Sequence, residues 1–270
     1  MNKETKRMIS LEEHKVIAND ILRDIKSYCD ERGIMYYIAF GTTLGAVRHK
    51  GFIPWDDDID IIMPRDDYER FKSSYNNRDS KYRLVCNEID SDFWAPLPKV
   101  IDTTTILRQT NVRDPKPIGI YVDVFVYDNV PDNNTERWLY FKEMKFIQKC
   151  WSFVRYKRNY SRFSPLGIVY NFSIKHIDPN MLVRKLHVLA QKYNDKKTSL
   201  FGCNEYCAFK YLYKKEWFKE GTDVVFEGVK YRTAKDWDAF LKCIYGDYMT
   251  LPPEDQRVST HPLEAYYKEN

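Results

Sequence analysis

The sequence predicts a mixed fold, α/β or α+β, over residues 1–130, with a helix-rich basic part over residues 131–270. Three observations carry that prediction. Apolar runs of strand length alternate with helical periodicity up to about residue 130. Beyond it, long helical patterns take over, interleaved with basic and aromatic residues. The composition, 30% charged and 43% hydrophobic over 270 residues, is that of a globular chain long enough for one large domain or a core with an appended lobe.

The first element is a helix. Ser10 and Glu13 make an S-x-x-E capping box, Ile17, Ile21, Ile25 and Tyr28 fall on one face, and Gly33 is a natural stop. "IMYYIAF" (34–40) reads as a strand, running into "GTTLGAVRHKG" (41–51), a glycine turn followed by a short helix. "DIDIIM" (58–63) reads as the second strand and "RDDYERFKSSY" (65–75) as helix. Strands follow at 82–86, 97–102 and 118–126. In the second part, helices are predicted at 134–158, 165–177 and 179–195, strands near 204–210 and 224–232, and a helix at 235–245. The chain shows no internal repeat, and residues 131–270 are read as completing the same domain.

Several function classes are disfavoured. A net charge of +4 is too mild to imply nucleic acid. The six cysteines are scattered; Cys203 and Cys207 lie four apart with no second pair for a zinc site, so all six read as reduced thiols. The polar N-terminus lacks the apolar core of a secretory signal, and no apolar run approaches the roughly 18 residues of a membrane span. A cytoplasmic location is expected. Between 145 and 192 there are ten Lys or Arg and one acid, Asp178, with aromatics interleaved. Solvated basic helices packed through aromatic faces explain this; so does peripheral contact with anionic lipid. His14, His176 and His187 read as helix-surface residues.

The chemistry concentrates in "FIPWDDDIDIIMPRDDYERF" (52–71), where acids lead into an apolar strand. Alternation along a strand puts Asp58 and Asp60 on one face, with Asp56 near it, while Ile59 and Ile61 point to the core. Two carboxylates at i and i+2 repel unless they share a hard cation, Mg²⁺ or Mn²⁺. Asp123, a single acid inside the β-rich "IYVDVFVYD", supplies a third. The plainer reading of Asp56 and Asp57 is a solvated loop with helix caps. An EF-hand fits Asp56, Asp58 and Asp60, but its turn glycine would be Ile61 and its last ligand Asp67, so the loop could not turn as required. Upstream, Gly41 lets the chain approach phosphate closely, Thr42 and Thr43 add hydroxyls, and Arg48, His49 and Lys50 add charge. Lys99, in "PLPKVIDT", reads either as a strand-borne cation for phosphate or as an exposed edge lysine.

The segment "FGTTLGAVRHKGFIPWDDDIDIIMPRDDYERF" resembles the signature of the LicD family of phosphocholine transferases, within the nucleotidyltransferase-fold superfamily. "YGDYMTLPPEDQR" with the following His261 resembles the family's C-terminal signature, so the likeness extends over most of the chain. Fukutin-related protein shares the acidic core more remotely. Thr42 stands where the wider superfamily often has Ser. The resemblance implies an α+β fold with a nucleotidyltransferase-like mixed sheet flanked by helices. It implies a cytosolic bacterial enzyme moving phosphocholine from CDP-choline to a sugar hydroxyl of a lipid-linked teichoic acid or other surface-glycan precursor; the basic segment adds the reading of a peripheral position at the inner face of the cell membrane. It makes Asp58 and Asp60 the Mg²⁺ ligands and Asp123 the third acid, as ligand or base. Arg257 and His261 become candidates to close over substrate, and Trp55, Trp94 and Tyr121 candidates to face the quaternary ammonium. Alternatives with the same metal chemistry are transfer of phosphoribitol or phosphoglycerol from a CDP donor, or true nucleotidyl transfer. A non-catalytic choline- or glycan-binding protein is a further alternative, against which the three acids argue, because binding alone needs no metal triad.

Overall fold

The computed structural model describes residues 7–109, 112, 117–156, 165, 176–203, 212–258 and 263–268. Helix α1 (Leu11–Arg32) opens on the predicted capping box, with Ser10 and Glu13 each bonded to the other's backbone N–H, and stops at Gly33. It is followed by β1 (Tyr37–Ile38), α2 (Phe40–Arg48), β2 (Asp60–Pro64), α3 (Arg65–Ser74), β3 (Tyr82–Val85), β4 (Lys99–Asp102), β5 (Thr105–Gln109) and β6 (Tyr121–Val130). The second part supplies α4 (Asn134–Arg155), α5 (Pro179–Ala190), β7 (Leu200–Gly202), β8 (Leu212–Lys214), β9 (Thr222–Phe226), β10 (Val229–Thr233), α6 (Trp237–Tyr245) and β11 (Leu263–Tyr267).

The main sheet runs β1-β2-β6-β4-β3, with β7 and β8 continuing from the far end of β6. Only β2 and β6 are parallel; the other pairs are antiparallel, so the sheet is mixed, as the α+β reading requires. Both faces are covered. Ile59, Ile61, Met63, Val122, Val124 and Val126 pack on α1 and α3 through Ile21, Leu22, Ile25, Tyr68 and Phe71. Ile62, Phe125 and Tyr127 face α2 and α6 through Phe40, Leu44, Phe240 and Leu241. A sheet covered on both sides has apolar residues at successive positions, which is why 61–63 does not alternate. Burial of these branched and aromatic side chains, at about 25 cal/mol per Å² of apolar surface, is what holds the strands in place. A buried bidentate pair, Arg65 to Asp128 with both contacts at 2.8 Å, ties the start of α3 to β6.

Several elements differ from expectation, each for a local reason. The strand predicted over 34–40 is shorter because Ile34 N–H donates to Cys29 O at the end of α1 and Met35 N–H to Asp67. The second strand begins at Asp60 instead of Asp58, after a turn closed by Asp56 N–H on Ile53 O. Strand β5 was not predicted; its partner is β11, paired antiparallel from the far end of the chain, and no local signal encodes that. The 224–232 strand is a hairpin, β9–β10. The predicted strand at 204–210 and most of the helix at 165–177 lie outside the described residues. His14 and His187 are buried, not on the surface; His187 Nδ1 lies 3.9 Å from Glu88. The five described cysteines form no disulfide with one another. No described helix is long and apolar enough to cross a membrane.

Candidate active site

Strand register assembles the acids. In the parallel pair β2–β6, Asp60 stands opposite Asp123; in the antiparallel pair β6–β4, Asp123 stands opposite Lys99. Three titratable side chains therefore form one row across three adjacent strands. Lys99 ion-pairs with Asp123, and its ammonium sits 3.6 Å from the centre of the Tyr121 ring. The edge-lysine reading fails: β4 lies between β3 and β6, and Lys99 is buried. Burial alone would push its pKa down, but Asp123, Tyr121 and Asp60 outweigh burial and hold it above the ordinary lysine value. The same neighbours leave the Tyr121 hydroxyl pushed up to about 12, mainly by burial.

Asp60 is the electrostatic centre of the row. Its carboxyl is raised well above the ordinary range, first by burial, then by Asp58, Asp123 and Asp56, with Lys99 only partly opposing. The sheet thus concentrates negative charge where water cannot solvate it. Asp56, Asp57 and Asp58 lie just before β2, each offering an oxygen within 4.8 Å of the others. Asp58 precedes the first residue of β2, yet Ile59 and Ile61 pack in the same core and Ile59 O accepts from Asp123 N–H, so the chain is already extended there and the alternation expected from the sequence holds. Asp57, which sequence reasoning left out of the ligand set, is buried in this trio; its signal was the unbroken Asp run itself. Among the described residues only Asp56, Asp57 and Asp58 bring carboxylate oxygens within 4.8 Å of one another; Asp60 and Asp123 stand next to that trio through the strand pairing and feel its charge, without joining it at that distance. Carboxylate oxygens are hard, anionic donors of the kind that suits Mg²⁺ or Mn²⁺ and not a thiophilic ion.

The neighbouring helix differs from a free glycine turn. Gly41 lies in the first turn of α2, after Ala39, so Thr42 and Thr43 are helical. Thr42 Oγ accepts from Asp60 N–H at 2.9 Å, and Thr43 Oγ donates to Ile38 O at 2.7 Å. Thr42 anchors α2 to β2, which carries Asp60, and Thr43 anchors it to β1. Gly41 is needed for a different reason: a Cβ there would lie 2.7 Å from Asp56 Oδ2. At Gly45 it would meet Gly51 O at 2.4 Å, a backbone atom that cannot rotate away. The two glycines should separate on substitution. Gly45→Ala should cost about 1–3 kcal/mol in urea unfolding. Gly41→Ala should cost under about 1 kcal/mol yet weaken divalent-ion affinity or turnover roughly 10–100-fold by displacing Asp56. Equal destabilisation by both would mean that Asp56 is not an adjustable neighbour of Gly41.

Of the other expected residues, Trp55 and Arg257 meet: the guanidinium lies 5.7 Å from the ring centre, and Arg257 Nε donates to Pro252 O. His49 packs edge-on to Trp55 at 6.4 Å. Arg48 donates to Tyr248 O at 2.6 Å, and Lys50 to Val47 O at 3.3 Å, so both charges lie on backbone carbonyls. Trp94 packs beside Trp151 with Arg155 3.3 Å above its ring; that ring and Tyr121 already carry a protein cation. His261 lies outside the described residues.

Comparison with known proteins agrees with this arrangement. Residues 33–163, which hold β1, α2, all five acids and Lys99, match the model of the LicD/FKTN/FKRP nucleotidyltransferase domain. Over 270 aligned residues the chain is 28% identical to the lipopolysaccharide cholinephosphotransferase LicD of Haemophilus influenzae, covering 96% of this chain and 99% of that protein. An uncharacterized protein of Rickettsia typhi is 31% identical over 93 residues, 32% of this chain and 30% of its own length. A second, from Rickettsia prowazekii, is 45% identical over 47 residues, 17% of this chain and 18% of its own. With the acid row inside the matched region, the chain carries a LicD/FKTN/FKRP-type nucleotidyltransferase domain over residues 33–163 and is similar nearly end to end to a LicD cholinephosphotransferase.

Proposed function

We propose that this protein transfers phosphocholine from CDP-choline to a sugar hydroxyl of a cell-surface glycan precursor, a teichoic acid or a comparable lipid-linked acceptor, with release of CMP. The observation that carries the reading is the row Asp60–Asp123–Lys99 with Asp58 beside it, in a chain similar over its length to a cholinephosphotransferase. Phosphoryl transfer needs little covalent chemistry from a protein; it needs positioning and charge neutralisation.

Asp58 and Asp60 would hold a divalent cation, Mg²⁺ or Mn²⁺, with Asp123 as the third carboxylate. The buried, mutually repelling carboxyls around Asp60 fit such an ion. When bound, the ion supplies charge neutralisation for the donor's diphosphate. Lys99, in place on Asp123, adds a fixed positive charge beside the same point. The first turn of α2, held to the acids by Thr42, presents backbone N–H groups for phosphate oxygens. Trp55, with Arg257 already over its ring, would offer an aromatic face to the donor's base. The acceptor oxygen forms its bond to the choline-bearing phosphorus as the bond from that phosphorus to the bridging oxygen breaks; CMP departs, and the hydroxyl proton passes to a carboxylate or water.

Isothermal titration with Mg²⁺ present tests the donor. CDP-choline should bind, and CDP-ribitol, CDP-glycerol and CTP should bind at least about tenfold more weakly, a difference of about 1.4 kcal/mol. Preference for another of these nucleotides would discard choline while leaving the acid row in place.

A further inference from the structure

We infer that the outer face of α4 and α5 docks on a bilayer containing anionic lipid. The two helices already use one face each for packing: Tyr140, Phe141 and Met144 meet Leu186, Ala190 and Tyr193 over Val130. The outer face should then be polar. Instead it presents Trp138, Leu139, Phe146, Met181 and Val188, with Phe146 68% and Val188 76% exposed. Between the helices runs an open groove of about 970 Å³ lined by Phe146, Ile147, Met181, Leu182 and Val188. Its lining includes Arg184, Lys185 and Lys192 against Glu143, and α4 adds the exposed Lys142, Lys145 and Lys149 against Glu136.

The charge identifies the occupant. Glu136 is engaged by Lys196 and Arg184 by Asp178, which leaves a lysine-rich rim about an apolar centre. Lysines can extend their ammonium groups to headgroup phosphates while their stems and neighbouring apolar side chains enter the acyl boundary. Trp138, with Lys142 4.8 Å from its ring centre, has the amphipathic character of an interfacial anchor. No described helix is apolar enough to span, so the contact lies on the membrane, not through it. The inference does not depend on which group the active site transfers.

The test is sedimentation of the full chain with phosphatidylcholine vesicles, with and without phosphatidylglycerol. Binding is expected only with phosphatidylglycerol and should weaken as salt rises. Lys145→Glu/Lys149→Glu/Lys185→Glu should weaken it by about 100-fold or more, roughly fivefold per cation lost. Phe146→Ser/Val188→Ser should weaken it by about tenfold, through apolar area alone. Both variants change exposed side chains, so an unchanged thermal unfolding curve accompanies the expected result. Wild-type protein that stays in the supernatant overturns the inference. So does equal binding to both vesicle types, or undiminished binding by either variant. A dimer that Phe146→Ser/Val188→Ser converts to monomer would likewise overturn it, assigning the face to a second copy of the chain.

Discussion

Asp60→Asn is expected to reduce transfer by at least about 10³-fold, roughly 4 kcal/mol of barrier at 1.36 kcal/mol per decade, while making the metal-free protein more stable near neutral pH. The two effects have one cause. The carboxyl is buried next to Asp58, Asp123 and Asp56, and its pKa in the folded chain is raised. A carboxyl with a raised folded pKa binds more protons folded than unfolded. Stability of the metal-free protein therefore falls as pH rises from about 4, the ordinary Asp value, through the higher folded value. Asparagine keeps the shape and removes the charge, so this fall should shrink. A cation held by the acids offsets the same repulsion, so Mg²⁺ should raise the wild-type melting temperature more than that of the variant. Melting curves from pH 4 to 8 with and without Mg²⁺, beside a turnover assay, read all three consequences. A variant that is less stable than wild type without metal, or that keeps the full Mg²⁺ shift, would remove Asp60 from the centre of the site.

Lys99→Met should be the most damaging single change to the fold among the row residues. It deletes the cation opposite Asp123 and leaves that carboxylate and Asp60 together without their ammonium. Breaking one side of a buried ion pair typically costs about 3–5 kcal/mol. Methionine reproduces most of the lysine stem's volume, so the loss would report charge and not a cavity. The double variant Lys99→Met/Asp123→Asn should recover most of the stability, because no buried charge is then stranded at that pair, but none of the activity. Urea unfolding of the four species in a double-mutant cycle measures this. Near-additive losses would mean that the pair does not couple, and that Lys99 owes its place to the Tyr121 ring instead.

Much of the fold was legible because its signals are local. The S-x-x-E box and Gly33 bound α1 correctly, since a cap is a contact between near neighbours. The runs 82–86, 97–102 and 118–126 read as strands from their β-branched and aromatic residues, and strands stand at 82–85, 99–102 and 121–130. Boundaries shifted where a backbone group found a distant partner: Met35 on Asp67, or Asp60 N–H on Thr42. Strand β5 was invisible because what makes it a strand lies at 263–267. His187 read as a surface residue because nothing near it in sequence reveals Glu88 across the packing.

The residue types and spacing of Asp58, Asp60 and Asp123 were enough to propose a hard-cation site, because paired carboxylates in an apolar strand imply a shared positive partner whatever surrounds them. The tertiary structure decided the rest. The parallel pairing of β2 with β6 and the antiparallel pairing of β4 with β6 set Asp60, Asp123 and Lys99 side by side. The fold decided between the two readings of Lys99 by burying it as the counter-ion of Asp123, and it gave the Thr42 and Thr43 hydroxyls partners in β2 and β1. The physical reason is that a side chain's chemical type is written in one position, whereas its partner, its burial and the charge it feels are set by strands and helices that meet only when the chain has folded.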